Sequence, residues 1–402
     1  MRGAAVLLLL PLAGALGGLG LLEGLLRLTG VGAPPRHAAP FVAPHPDLGW
    51  FPIPGHRFVY ASPQGEYRVE VAFNSRGLRD REHPYAKPPG TARVLLLGDS
   101  FTAALEVPLE ATFAERLERT VRLPQRGFEV VNAGVQGWGT DQQLLYFRHE
   151  GHRYGPDLVL VQFYVNDVHD NSAGLAPHVL RGRKPFFTLT GGRLVLRPAG
   201  DRPGRRPGWS GRVRAWLSGW RVVEAAVQAR RALAHRGRAT ACAEQEAAVP
   251  RRMHAYGPQL PAEEAGAWRL TFRILEALRD EVALRGGRLA LLYIPEKRQV
   301  FPDLWAAELA CYPTEEVSGW DPDGPNRRLG TFLAGAGVPF LDLTPPLRAA
   351  ARRGGRPYFT HDVHLTPSGH AIVAETVRRW IAEAELLERG GAAGGRQVVA
   401  RP

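Results

Sequence analysis

The order of apolar runs along the chain predicts an α/β protein, a three-layer α/β/α fold around a five-stranded parallel sheet. Three observations predict it. Short continuous apolar runs occur at VLLL (94–97), FEVV (128–131), LVLVQF (158–163), RLALLYI (288–294) and VPFLDL (338–343). They lack the polar alternation of a strand with one wet face, as expected of strands covered on both sides. Stretches with helical spacing separate most of them, such as Phe113, Leu117 and Val121 between the first two.

The N-terminus carries a different signal. Ala4 to Leu22 is uncharged, with Arg2 before it and Glu23 and Arg27 after it. A bilayer-spanning helix needs about 20 apolar residues, so residues 1–30 are expected to form an uncleaved transmembrane anchor with the remainder exported. A cleaved signal segment, with Ala13-Gly14-Ala15 at the cleavage site, is the alternative. Residues 31–92 read as a tether rich in Pro and Gly followed by a hairpin, HRFVY and YRVEVAF about the turn Ser62-Pro63-Gln64-Gly65. The catalytic domain is expected over 93–388, with an insertion at about 171–265 that contains a second hairpin, FFTLTGGRLVLRP. The tail 389–402 is expected to be disordered.

The net charge of +12 is unevenly spread. Arg193 to Arg238 holds twelve Arg and two acids, which leaves the rest of the chain near neutral. One basic segment on an otherwise balanced chain argues against a nucleic-acid binder. Within 209–238, Trp209, Val213, Trp216, Trp220, Val223 and Val227 form one apolar helical stripe, with Arg212, Arg214 and Arg221 largely off it. Such a stripe packs on its own domain or lies in a membrane interface. Cys242 and Cys311 are the only cysteines, too few for a metal cluster of their own, and are either bonded to each other or free.

In a parallel sheet of this kind the loops after the strands emerge at one edge, where ligands bind. Those loops carry Gly98-Asp99-Ser100, then Asn132-Ala133-Gly134-Val135-Gln136-Gly137, then Asn166-Asp167. After the last strand comes His361-Asp362-Val363-His364, ahead of a helix signalled by Thr366-Pro367. A serine, a histidine, a carboxylate and neutral donors are the parts required for acyl transfer through serine.

These four blocks, in this order, resemble the SGNH (GDSL-type) esterases and acyltransferases over roughly 93–170 and 288–385. The resemblance implies a flavodoxin-like fold and needs no cofactor or metal. It implies Ser100 as nucleophile, His364 as base and Asp362 as the group orienting it, with the oxyanion met by the Ser100 and Gly137 N–H groups and the Asn166 side chain. Three departures stand out. The last block reads Asp-x-His rather than Asp-x-x-His, a spacing similar to alginate-type O-acetyltransferases. Tyr164 and Ala104 stand where the family commonly has Gly, and Ala104 is expected to narrow the pocket.

Competing readings attach to single residues. Ser100 alone is a common helix cap. Asn132 and Asn166 suit ordinary turns, and Asp99 suits bonding to loop backbone. His361, Asp362, His364 and His370 are metal-ligand types, with His370 read as structural. Trp138 suits either sugar stacking or the core. Together the residues predict an extracytoplasmic, membrane-anchored serine esterase that cleaves small acyl (acetyl) esters or O-acylated glycans. The alternatives are an O-acetyltransferase modifying a cell-envelope polysaccharide and an inactive glycan-binding envelope protein.

Overall fold

The computed structural model describes residues 17–29, 41–177, 184–200, 220, 222–223, 225–226 and 249–388. Each apolar run becomes a strand of one sheet: β5 (Thr91–Gly98), β6 (Gly127–Gly134), β7 (Leu158–Phe163), β10 (Arg288–Tyr293) and β11 (Phe340–Asp342). The spatial order is β11-β10-β7-β5-β6, every pair parallel. Successive strands therefore run outward from β5 in opposite directions. The crevice at the carboxyl ends of β5 and β7 is the place where such sheets bind ligands.

Both faces of the sheet are buried, which explains the unbroken apolar runs. Leu95, Leu97, Val159, Val161 and Leu291 pack on helices Thr140–His149, Ala262–Leu284 and Gly324–Gly335. The alternate residues Val94, Leu96, Leu158, Leu160 and Leu292 pack on helices Phe113–Thr120, Thr344–Arg352 and Pro367–Glu383. A fully buried Leu or Val contributes about 1.5–3 kcal/mol, so these two layers are the main source of stability.

Among the described residues, three hairpins flank the sheet. β3 (Arg57–Ala61) pairs with β4 (Arg68–Ala72), and β8 (Phe186–Thr190) with β9 (Arg193–Arg197), as the alternation and turn residues predict. The third, β1 (Val42–His45) with β2 (Gly49–Pro52), lies where a tether was expected. Its four-residue strands lack alternation and carry prolines, so packing holds them rather than pattern. Phe51 stacks on Tyr146 at 5.8 Å, and the Gln142 side chain donates to the Leu48 carbonyl at 2.6 Å. Residues 41–92 are thus seated on the α/β body rather than strung ahead of it.

Of the expected anchor over 1–30, residues 1–16 and 30 lie outside the described residues. Residues 17–29 are helical, with Leu21 and Leu28 79% and 89% exposed. Among the described residues, no helix is long and apolar enough to cross a membrane. Most of the basic stripe at 209–238 lies outside the described residues, as do Cys242 and the tail from 389. The Val222 N–H donates to Glu23 Oε2 at 3.0 Å. Cys311 is disulfide-bonded.

Candidate active site

Ser100 opens the one-turn helix Ser100–Ala103 directly after β5. The cap of that helix is Asp99, whose carboxylate accepts the Phe101 N–H at 2.9 Å. Ser100 is therefore not the cap, and its hydroxyl is left for other work. A Cβ at Gly98 would stand 2.2 Å from Thr102 Oγ1 and 2.6 Å from Gln162 Oε1, so only glycine admits this turn. Gln162 Oε1 in turn accepts from the Asp99 N–H (3.2 Å) and from Thr102 Oγ1 (2.9 Å), which ties the ends of β5 and β7 together. Ala104 ends the helix in the left-handed region at φ 49°. Its methyl is buried in a cluster with Val107 and Phe359.

His364 reaches Ser100 from the far end of the sequence. Its Nε2 lies 2.8 Å from Ser100 Oγ, and its Nδ1 lies 2.6 Å from Asp362 Oδ1. Asp362 Oδ1 also accepts the His364 backbone N–H at 3.0 Å, and Oδ2 accepts the Tyr67 hydroxyl at 2.7 Å. The loop that carries both residues is closed by the Phe359 N–H on the His364 carbonyl at 3.1 Å. It is gripped from outside as well. Glu66 accepts the N–H groups of Thr360 and His361, and the Lys297 ammonium donates to the Phe359 and Thr360 carbonyls. Hairpin β3–β4 thus positions the histidine loop, a role no local motif announces.

The charges around His364 are unusual. Burial pulls the imidazole down, but Glu106 Oε1, 3.3 Å from Nδ1, and Asp362 more than offset it, and His364 is pushed up to about 9. For Asp362, burial works upward, yet the hydrogen bond and charge of His364, with the Tyr67 bond, hold it well below the usual carboxylate range. Burial raises Asp99, behind the serine, to about 6.

Gly137 lies in the loop after β6, at φ 72°, a conformation that disfavours any side chain. Trp50 on β2 clamps this loop: its indole N–H donates to the Gln136 carbonyl at 3.0 Å, and its own carbonyl accepts from the Trp138 indole at 3.2 Å. Trp138 is fully buried, so it belongs to the core and cannot stack on a sugar. Asn166 follows β7, and one N–H of its amide donates to Asp170 Oδ2 at 3.0 Å. Burial raises Asp170 to about 7. Among the described residues, the backbone N–H groups of Ser100 and Gly137 have no hydrogen-bond partner. Gly137 and Asn166 therefore follow the two strands that flank β5, on either side of the serine.

The other candidates are structural. Asn132 accepts the Gly134 N–H and donates to the Thr102 carbonyl, pinning the serine helix to β6. His370 is buried, its Nδ1 accepting the Phe113 N–H at 3.3 Å and its ring stacked on Phe113. Tyr164 is buried against Phe101, ring centroids 4.6 Å apart.

A nucleophile, a base with an oriented tautomer and backbone donors at one strand end can carry out acyl transfer by way of an acyl-serine. Residues 257–401 match the family model described as an SGNH hydrolase-like domain, acetyltransferase AlgX. That match includes Asp362 and His364 and excludes Ser100. No curated protein matches the sequence. Among solved structures, an acetyl xylan esterase is 14% identical, with 72% of this chain and 98% of that one covered and a TM-score of 0.37. A GDSL-like lipase from Bacteroides thetaiotaomicron is 13% identical, covering 75% and 93%, with a TM-score of 0.35. A two-domain esterase active on acetylated mannans is 12% identical and covers 75% of this chain and 52% of its own, with a TM-score of 0.36.

Proposed function

We propose that this chain, which carries an SGNH hydrolase-like domain, is an exported, membrane-anchored serine esterase that removes small acyl groups through an acyl-serine intermediate. The observation that carries the reading is the continuous contact from Asp362 through His364 to Ser100, with 2.6 and 2.8 Å between successive polar atoms. His364 Nε2 takes the Ser100 proton as Oγ attacks the acyl carbonyl, while Nδ1–H stays on Asp362. The oxyanion forms against the Ser100 and Gly137 N–H groups and the free N–H of Asn166. Each such donor is worth about 10²–10³ in rate. His364 then gives its proton to the departing alcohol. Water, activated the same way, releases the acid.

A second reading is favoured by the family match over 257–401 and by the Asp-x-His spacing: an O-acetyltransferase in which a glycan hydroxyl takes the place of water. Incubation with a chromogenic acetyl ester, with and without candidate envelope polysaccharides, separates the two. Free acetate alone supports the esterase, and acetylated glycan without free acetate overturns it in favour of transfer. If Ser100→Ala turns over as fast as the wild type, both readings are wrong.

The uncharged segment 4–22 and the exposed leucines of residues 17–29 support the anchor, and the disulfide at Cys311 supports an oxidising compartment. Recovery of the full chain in the soluble fraction of carbonate-washed membranes would refute anchoring.

A further inference from the structure

His364 Nδ1 faces two carboxylates, although an esterase triad requires one. Asp362 Oδ1 lies at 2.6 Å and Glu106 Oε1 at 3.3 Å. Glu106 is 2% exposed, and neither of its carboxylate oxygens has a hydrogen-bond partner among the described residues. A buried, unsatisfied carboxylate costs several kcal/mol unless a charge compensates it, so its place beside the imidazole calls for a reason. The chain brings it there actively. The left-handed turn at Ala104 stops the serine helix after one turn, and the backbone doubles back with Glu106 against His364.

We propose that Glu106 is a positioning residue of the acyl-transfer site, a second buried carboxylate that shares the Nδ1 face of His364 with Asp362. The inference deepens the acyl-serine reading and rests on it. When Nε2 accepts the Ser100 proton, the Nδ1 side of the imidazolium faces two carboxylates instead of one, while Asp99, behind the serine, adds a third negative charge that every Glu106 variant retains. The base is stronger for it. The cost is that the resting ring keeps a proton to higher pH, so turnover is confined to the alkaline side.

A rival role for Glu106 is to balance Arg79. That guanidinium is also 2% exposed and donates to the Ala103 and Val107 carbonyls. The charged and titratable groups facing Glu106 are His364 and Asp362 from the histidine loop, Arg79 from the segment after β4, and the phenols of Tyr60 and Tyr67 from hairpin β3–β4. Glu110 lies farther on, beside Arg79. Only the first of these neighbours carries a proton in the reaction, so the two roles separate by measurement.

The test is the titration of the His364 ring, followed by NMR in histidine-labelled protein and assigned by comparison with His364→Gln. It is run beside the pH profile of kcat for a chromogenic acetyl ester. With Glu106→Gln, the ring midpoint and the acid limb of kcat move together toward acid by about one to two pH units, the usual effect of an adjacent opposite charge. The alkaline plateau of kcat falls roughly threefold to tenfold with KM unchanged, as expected of a weaker general base. Glu106→Asp keeps a counter-charge for Arg79 but retracts it from the ring, so its shift has the same sign and is smaller. It also decides the matter if the Gln variant does not fold. A folded variant whose ring midpoint stays within about 0.3 units of wild type overturns the inference and leaves Glu106 as the partner of Arg79. The ring titration needs no turnover. A wild-type protein that cleaves no ester would count against the acyl-serine reading, while the titration would still judge Glu106.

Discussion

Asp362→Asn separates what this carboxylate does by shape from what it does by charge. Oδ1 accepts two N–H groups of His364, at 2.6 and 3.0 Å, and Oδ2 accepts the Tyr67 hydroxyl at 2.7 Å. Asparagine offers one oxygen and one NH2 group, so a single orientation avoids setting N–H against N–H: oxygen toward His364, nitrogen toward Tyr67. A phenol can accept as well as donate, so the Tyr67 bond reverses and survives. His364 keeps its Nδ1–H tautomer and its Nε2 lone pair on Ser100. What is lost is charge. A hydrogen bond to a charged group contributes about 1.5–3 kcal/mol and a neutral one about 0.5–1.5, a difference of about 1–2 kcal/mol. At about 1.4 kcal/mol per tenfold in rate, kcat falls roughly 5- to 30-fold, with KM little changed. In serine triads where the substitution forces the wrong tautomer, the loss is about 10⁴. The assay is ester hydrolysis across pH, with circular dichroism as the check on folding. A loss near 10⁴ refutes the reversed Tyr67 bond, and a loss under about threefold refutes any part for Asp362.

Tyr67→Phe removes the donor to Asp362 Oδ2 and leaves the fold's apolar contacts in place. The expected kcat is lower by at least roughly tenfold, since a hydrogen bond to a charged group is worth about 1.5 kcal/mol or more, and an unchanged kcat would show that hairpin β3–β4 does not orient the carboxylate. Gly137→Ala puts a Cβ in ordinary van der Waals contact with Trp50, 3.6 Å from Cζ2 and without a clash, so its effect comes from the backbone at φ 72°. Relaxing that torsion costs about 1–2 kcal/mol in place and turns the N–H away; turnover should fall by about 10² while the melting temperature moves by a few degrees, and full activity would exclude the Gly137 N–H from the oxyanion site. Acid sensitivity should come from His370, whose ring burial pulls down to about 3. The folded state keeps that ring neutral, so its contribution is complete above pH 6.5 and is lost progressively as pH falls toward 3. About 2 kcal/mol is gone by pH 5. Urea melts at pH 7 and pH 5 check this, since His370→Asn should flatten the difference.

Much of the sheet was legible because its strands are buried on both faces, which leaves continuous apolar runs that do not need tertiary knowledge to find. Hairpins β3–β4 and β8–β9 were legible for the same local reason, alternation about turn residues. β1–β2 was not. Its strands are short and proline-bearing, and they exist because Phe51 and Trp50 find Tyr146 and the Gln136–Trp138 loop across the chain. The site divides in the same way. Ser100, Asp362 and His364 sit in recognisable blocks, and the structure brings these three into contact. That Asp99 rather than Ser100 caps the helix is a matter of one turn's geometry. Tyr67 acts 295 residues away from Asp362 in sequence. Glu106 is only six residues past the serine, and it reaches His364 because Ala104 adopts a left-handed conformation. Neither residue type marks a site by itself, so only the folded chain reveals them.

The most direct measurement of whether Ser100 is an acyl-accepting nucleophile is the mass of the protein after a brief incubation with a fluorophosphonate or an activated acetyl ester at alkaline pH, followed by peptide mapping. A single adduct on Ser100, lost in Ser100→Ala and strongly slowed in His364→Gln, is the predicted result. A folded protein that stays unlabelled, or that carries the adduct on another residue, would contradict it.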